Sequence, residues 1–420
     1  MPNFDFSNPS DYAESCRRLA DLHLPGLKLD EVKAMVADYN AYPNLDNLAL
    51  PRNILILEDE IDEAAKLKAR QAVLEGRVFW EHAAAGEATR LGLGPKFLIQ
   101  PETLENGKAL LPLNLGSRHM WQLAFEISRL AENQGLDPAL VLARQKLLLV
   151  TNESSSAEIM RILKEMNFFG FARDNFFLMI QQAFRGLVQT ADGWRFSEET
   201  AARLHNHGQL AMQKTMDNQV FRLGSDGEPE YLNREAFFRC LGEADDLVSY
   251  NIEDLSYLTG ALDFETIGLA LKLGEQGFGM TMEIVANHPE HPVKGGLCAY
   301  DPALGRDVVI ESFRLRNLEP SQIKYLNKNF NHYPKPALAF GKLAEEGLFM
   351  PLMATDEGLY FQPVQGDLNF LVKTAMISRR NPTLLKSWKT ADDTPAAIQA
   401  MAEQDSQPGF KGFLHQHKVR

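Results

Sequence analysis

Cysteine is scarce: Cys16, Cys240 and Cys298 are the 3 cysteines in 420 residues, widely spaced and without a CxxC pair. That excludes a disulfide framework and a cysteine-rich zinc site, and leaves the three as small buried hydrophobes. Basic charge is outweighed, with Lys plus Arg at 43 against Asp plus Glu at 56, a net charge of −13. A general nucleic-acid binder needs a net basic footprint, so that class is excluded. A local basic pocket for one small phosphorylated ligand is not. No apolar run approaches the roughly 18 residues of a membrane span. Met1 to Arg18 mixes Asp, Glu, Pro and Ser without the apolar core of a secretory signal. The chain is therefore expected to be cytoplasmic, without a membrane partner. Internal repeats are lacking, which removes solenoids and propellers. So are HExxH, GxSxG and an EF-hand loop. His288 and His291 are broken up by Pro289 and Pro292, so they read as a loop rather than a helical metal pair. At 45% hydrophobic the chain has enough apolar content to fold.

What is present is a change of texture along the chain. Residues 10–75 read as helical, with Ser10 an N-cap ahead of Tyr12, Cys16, Leu19 and Leu22, and with Pro25, Pro43 and Pro51 as punctuation. Apolar runs that suit buried strands follow at Gly76–Ala84, Lys146–Val150, Phe176–Ile180, Asp246–Asn251, Met280–Ala286, Gly296–Tyr300 and Asp307–Ser312. Helical stretches at Met120–Gln134, Ser155–Met166 and Ala201–Gln213 separate the first several. Strands alternating with helices imply a parallel or mixed sheet covered on both faces, with an antiparallel addition around 278–312. The division expected is a helical region over 1–75, a core over 76–335 and a small α+β region over 336–420.

The loop after the first expected strand carries chemistry. Ala83-Ala84-Ala85-Gly86-Glu87-Ala88-Thr89-Arg90-Leu91-Gly92 runs into Pro95-Lys96. Small residues after a strand let backbone N–H groups approach a phosphate or a base edge, and Arg90 and Lys96 add the positive charge. No GK[ST] follows, so this is not a Walker A loop. On composition alone it could equally be a tight strand-to-helix turn with two solvated cations.

The segment resembles the AGGxGTRLG…PK signature of UDP-sugar pyrophosphorylases, which are uridylyltransferases. It matches at Gly86, Thr89, Arg90, Leu91, Gly92, Pro95 and Lys96, and departs at Ala85 and Ala88, where glycine is usual. Further stretches of this family follow in order. Leu149-Val150-Thr151-Asn152-Glu153, then Phe168-Phe169-Gly170-Phe171, resembles one. Phe176 to Gln182 resembles the strand that ends in glutamine, and Asn206-His207-Gly208 the turn against the uracil. Asn251-Ile252-Glu253-Asp254-Leu255 resembles the metal-binding NxDNL motif. Met282-Glu283, Val293 to Gly296, Ile310-Glu311 and Asn329 to Tyr333 resemble the sugar side. Each of these, taken alone, also has an ordinary structural explanation: a strand end, a turn histidine, an acidic helix start, a hairpin turn or loop polar groups.

The resemblance covers roughly 76–370. It implies a GT-A-like, Rossmann-type α/β nucleotidyltransferase core in three layers with a mixed central sheet. It also implies Mg²⁺ as cofactor, and an NTP (UTP first) and a sugar 1-phosphate as small-molecule substrates. By position, Gly86 and Thr89 would meet the nucleotide, and Arg90 and Lys96 its phosphates. Gln181, His207 and Gly208 would face the base, and Glu253 or Asp254 the metal. Lys294, Glu311 and Asn331 would meet the sugar or its phosphate. One departure concerns charge. Gln365 in Phe361-Gln362-Pro363-Val364-Gln365 stands where the family has a phosphate-facing lysine, which makes Lys373 the candidate substitute. An active uridylyltransferase, a non-catalytic nucleotide-sugar binder and an enzyme for another nucleotide or acceptor all fit this pattern. The sugar and the oligomeric state stay open.

Overall fold

Along the apolar runs, alternate residues serve two different cores. Val78 and Trp80 enter one hydrophobic cluster and Phe79 the other; Leu147 and Leu149 oppose Leu148 and Val150; Phe176 and Leu178 oppose Phe177 and Met179. Such period-two burial on both faces is what a central sheet between two helical layers requires. The computed structural model describes residues 12–87, 91–104, 107–287, 290, 292, 295–316, 318–380 and 387–419.

Its 12-stranded sheet is built from β1 (Ile54–Ile56), β2 (Val78–Ala83), β3 (Lys146–Asn152), β4 (Phe176–Gln181), β5 (Val220–Leu223), β6 (Pro229–Tyr231), β7 (Asp246–Asn251), β8 (Met280–Ala286), β9 (Leu297–Asp301), β10 (Arg306–Ile310), β11 (Tyr325–Pro334) and β12 (Thr374–Ser378). The lateral order is β1-β12-β8-β11-β7-β2-β3-β4-β5-β6, with the β9–β10 hairpin attached to β11. β2, β3, β4 and β7 run parallel, as do β8, β12 and β1 among themselves. β11 lies antiparallel between β7 and β8, so both parallel groups point the same way. Helices Leu115–Asn133, Ser156–Glu165, Thr394–Asp405 and Phe410–Gln416 cover one face. Tyr12–His23, Asn206–Gln213, Arg234–Gly242 and Pro336–Glu346 cover the other. This is the three-layer α/β core with a mixed sheet that the sequence implies. Among the described residues no helix is long and apolar enough to cross a membrane.

Three local expectations are corrected. The asparagine-rich segment is not a loop: Tyr325–Pro334 is a ten-residue strand in the middle of the sheet. Asn and His are poor strand formers, but pairing on both sides satisfies their backbone and overrides propensity. The helix expected over Ala201–Gln213 begins only at Asn206, because Arg203–Leu204 pairs with Ala183–Phe184. The sheet also takes β1 from the helical first segment and β12 from the last, where short apolar triplets and quintets gave little periodic signal.

Candidate functional site

The lateral order reverses at β2: its successors β3 and β4 lie on one side and β7 on the other. In open α/β sheets the crevice at such a switch point, beyond the carboxyl ends of the strands, is where ligands bind. A cavity of about 230 Å³ lies there, lined by Ala83, Ala85, Gly86, Lys96, Gln181, Leu204, Asn206, His207, Leu210, Asn251, Ile252 and Glu253. Gly86, Lys96, Gln181, His207 and Glu253, named from the sequence, thus share one cavity.

The loop after β2 is pinned from beneath. Ala84 N donates to Val150 O at 2.8 Å, and Asn152 Nδ2 donates to Ala85 O at 2.7 Å. The Ala85 methyl, where glycine was expected, packs into the core at negative φ. Lys96 N donates to Gly86 O at 3.0 Å, which returns the chain to the strand end. The Lys96 side chain then runs past Gly86, so that a Cβ there would lie 3.6 Å from Lys96 Cδ. Its ammonium forms an ion pair with Glu253 Oε2. Glu253 also meets Lys389 Nζ at 3.4 Å and accepts from Ser387 Oγ at 3.3 Å. Burial would raise the Glu253 carboxyl, but the two ammonium groups outweigh it and hold it below the usual range. The carboxylate is ionised between two cations. Asp254 is absent from the lining and caps the turn that follows, accepting from Ser256 N at 3.0 Å.

The opposite wall is a knot of amides. Gln181 Nε2 donates to Asn206 O at 2.8 Å and to Gln209 Oε1 at 3.3 Å. Gln209 Oε1 also accepts from His205 N, and its Nε2 donates to Gln182 O. Asn206 has φ +55°, a conformation that asparagine tolerates better than most side chains. Gly208 presses its backbone onto the neighbouring segment and donates to Pro363 O at 3.0 Å. His207 Nδ1 accepts from Gln365 N at 3.0 Å, which requires the proton on Nε2 and a neutral ring. Behind it, Lys214 and Glu81 form a fully buried ion pair, with Ser249 Oγ donating to Glu81 at 2.7 Å.

Glu311 and Asn331 do not line the cavity. They stand on its far side, past the segment that holds Gln365. A Cβ on Gly366 would lie 3.7 Å from Glu311 Oε1. Asn331, paired in register with Ser249 and Met282, has a buried Oδ1 with no partner among the described residues. Such an orphaned acceptor fits a hydroxyl donor from a ligand. Gln365 is 6% exposed and donates to Tyr333 Oη at 2.7 Å.

The expectation for Lys373 is corrected. It precedes β12 at the amino ends of the parallel strands, the edge opposite the cavity. Its ammonium donates to Gln276 O at 3.3 Å and lies 3.9 Å from the centre of the Phe278 ring. Thr89, Arg90 and Lys294 lie outside the described residues. Two contributors were missed. Asn152 lies in Leu149–Glu153, where the sequence assigns it no role. Lys389 reaches Glu253 from a distant segment, a proximity with no local sequence signal.

No protein-family model matches the chain. No curated protein matches it either. Solved structures do. The chain is similar to the uridine diphosphate N-acetylglucosamine pyrophosphorylase of Trypanosoma brucei in complex with an inhibitor, at a TM-score of 0.60 and 17% identity over 93% of this chain and 79% of that one. It is similar to a variant of the UDP-glucose pyrophosphorylase of Leishmania major, at a TM-score of 0.58 and 14% identity over 92% and 79%. A further variant of that protein, in complex with UDP-glucose, gives a TM-score of 0.60 and 11% identity over 92% and 76%. The likeness is one of fold.

Proposed function

We propose that the chain is a nucleotidyltransferase of the UDP-sugar pyrophosphorylase kind, joining an NTP, UTP first, to a sugar 1-phosphate and releasing pyrophosphate. The observation that carries this reading is the pairing of Lys96 with Glu253 at the switch-point cavity, opposite the amide wall of Gln181 and His207. The fold shared with solved UDP-sugar pyrophosphorylases and the ordered motifs support it.

In the reaction a phosphate oxygen of the sugar 1-phosphate bonds to the α-phosphorus of the NTP. The bond from that phosphorus to the bridging oxygen of the β-phosphate breaks, and pyrophosphate leaves with the electron pair. No covalent enzyme intermediate is needed, so the protein's work is alignment and charge neutralisation. Gly86 gives the nucleotide close backbone approach, and Lys96 grips the phosphates. The neutral His207, with Nε2–H as donor, and Gln181 face the base. Asn331 and Glu311 orient sugar hydroxyls. Mg²⁺ binds through one or two carboxylates plus substrate phosphates, which fits Glu253, the single carboxylate among the described cavity residues. Bound there it would supply charge neutralisation between the phosphates.

The test is pyrophosphate release with Mg²⁺ across UTP, CTP, ATP and GTP against several hexose 1-phosphates. Lys96→Ala and Glu253→Ala proteins serve as controls. Turnover with one pair, lost in both variants, is the expected result and names the substrates. Turnover with no pair above the variants, alongside retained UTP or UDP-sugar binding, would replace the enzyme by a nucleotide-sugar binder.

A further inference from the structure

Among the described residues lining the cleft Lys96 is the one cation, and the position where a further one is expected is neutral. Gln365 carries no charge, and its amide is committed to Tyr333 Oη. Lys373 is on the wrong edge of the sheet. From these positions and the surroundings of Glu253, we propose that Lys389 is a further phosphate-gripping cation of this site beside Lys96, delivered by the C-terminal segment. The proposal rests on the nucleotidyltransferase reading.

The segment that carries Lys389 is anchored on both sides of it. Trp388, 1% exposed, inserts into the hydrophobic core. Its N–H donates to Glu253 O at 2.9 Å, and its Nε1 donates to Thr394 Oγ1 at 3.3 Å. Ser387 makes a β-bridge with Asp254. On the other side Asp393 Oδ2 accepts from Lys389 N at 3.0 Å and Thr390 N at 2.8 Å. The backbone at 387–390 is thereby tied to the strand end that presents Glu253. A surface lysine that only meets solvent needs no such framing. The backbone beneath this one is fixed before any ligand arrives, so little backbone ordering is left to oppose binding.

The charges favour an anion. Lys96 and Lys389 address the two oxygens of one carboxylate, Oε2 and Oε1, leaving the trio with a net charge of about +1 by formal count. The Lys389 side chain is 46% exposed, so its bond to Glu253 is open to exchange. A polyphosphate offers more oxygens and more charge than the carboxylate, and charge-assisted bonds to it would take both ammonium groups. Lys96 and Lys389 then hold the phosphates from opposite sides of Glu253.

The test compares wild type, Lys389→Ala and Lys389→Arg in direct titrations with UTP, inorganic tripolyphosphate and uridine. Lys342→Ala, a surface lysine on the helix Pro336–Glu346, is the control. K389A is expected to weaken UTP and tripolyphosphate by roughly tenfold or more, the scale of one lost charge-assisted bond. Uridine binding should be unchanged and K389R should recover most of the loss. The thermal midpoint should stay at the wild-type value, because the anchors are Trp388, Ser387 and Asp393. If wild type binds UTP, Lys96→Ala loses it and K389A matches wild type, the assignment of Lys389 is wrong while the enzyme reading stands. If tripolyphosphate binds in a Lys389-dependent way but UTP binds no better, Lys389 is a polyphosphate ligand and the uridylyltransferase reading fails. No polyphosphate binding by wild type overturns both.

Discussion

Replacing Gly208 by alanine places a methyl group where the helix behind the amide wall touches the segment Pro363–Val364. A Cβ there would sit 2.3 Å from Pro363 C, 2.4 Å from Val364 N and 2.5 Å from Pro363 O. Ordinary contact begins near 3.4 Å, so the two backbones must part by about 1 Å. Neither can yield cheaply. Gly208 lies in the helix Asn206–Gln213, and the facing chain is held by Gly208 N to Pro363 O and Gln365 N to His207 Nδ1, both 3.0 Å. Overpacking costs about 1–3 kcal/mol, and each weakened hydrogen bond adds about 1 kcal/mol. The expected loss is thus about 2–5 kcal/mol of stability. The same displacement shifts His207 relative to Lys96 and Glu253, and a misplacement of that size costs up to about 100-fold in an aligned reaction. Urea denaturation measures the first effect and pyrophosphate release the second. Gly341→Ala is the control, since a Cβ there meets nothing within 4 Å; it should be neutral or stabilising by up to about 1 kcal/mol. A Gly208→Ala protein with the wild-type urea midpoint and rate would refute the reasoning.

Two further outcomes are expected. Arg118 is fully buried and its guanidinium meets Asp405 at 2.7 and 3.2 Å, tying the helix Thr394–Asp405 to Leu115–Asn133. Asp405→Ala strands that charge and should cost about 3–5 kcal/mol in urea denaturation; a loss under about 1 kcal/mol would show that the pair holds nothing. Near the sugar side, burial together with the charge of Asp367 pushes Glu311 up to about 7, and burial lifts Asp367 to about 6 against the pull of Arg314. Both folded values exceed the unfolded ones, so the native state binds protons that the unfolded chain has released. Stability should therefore fall as pH rises from about 5 to 8, by on the order of 3 kcal/mol. Glu311→Gln should flatten most of that slope; an unchanged slope in denaturation at pH 5.5, 6.5 and 7.5 would count against the pair.

The layered α/β core was legible because its signals are local. Asp246–Asn251 and Met280–Ala286 are apolar runs whose bounds as strands coincide with those runs. The loop after β2 announces itself by small residues following such a run. Strand Tyr325–Pro334 was not legible, because its asparagines read as loop and only its two flanking partners make it a strand.

The order of the motifs along the chain follows from the sequence by itself, because hydrophobic period and turn chemistry act between near neighbours; the switch point depends on β7 pairing with the distant β2. Which charges meet was decided only by the tertiary structure. Gln365 turns to Tyr333, Lys373 falls on the opposite edge, and the segment of Ser387 to Lys389 returns to Glu253, with Ser387 lying 134 positions from it. Coulomb and hydrogen-bond energies depend on separation in space, and packing the C-terminal helices against the core sets that separation.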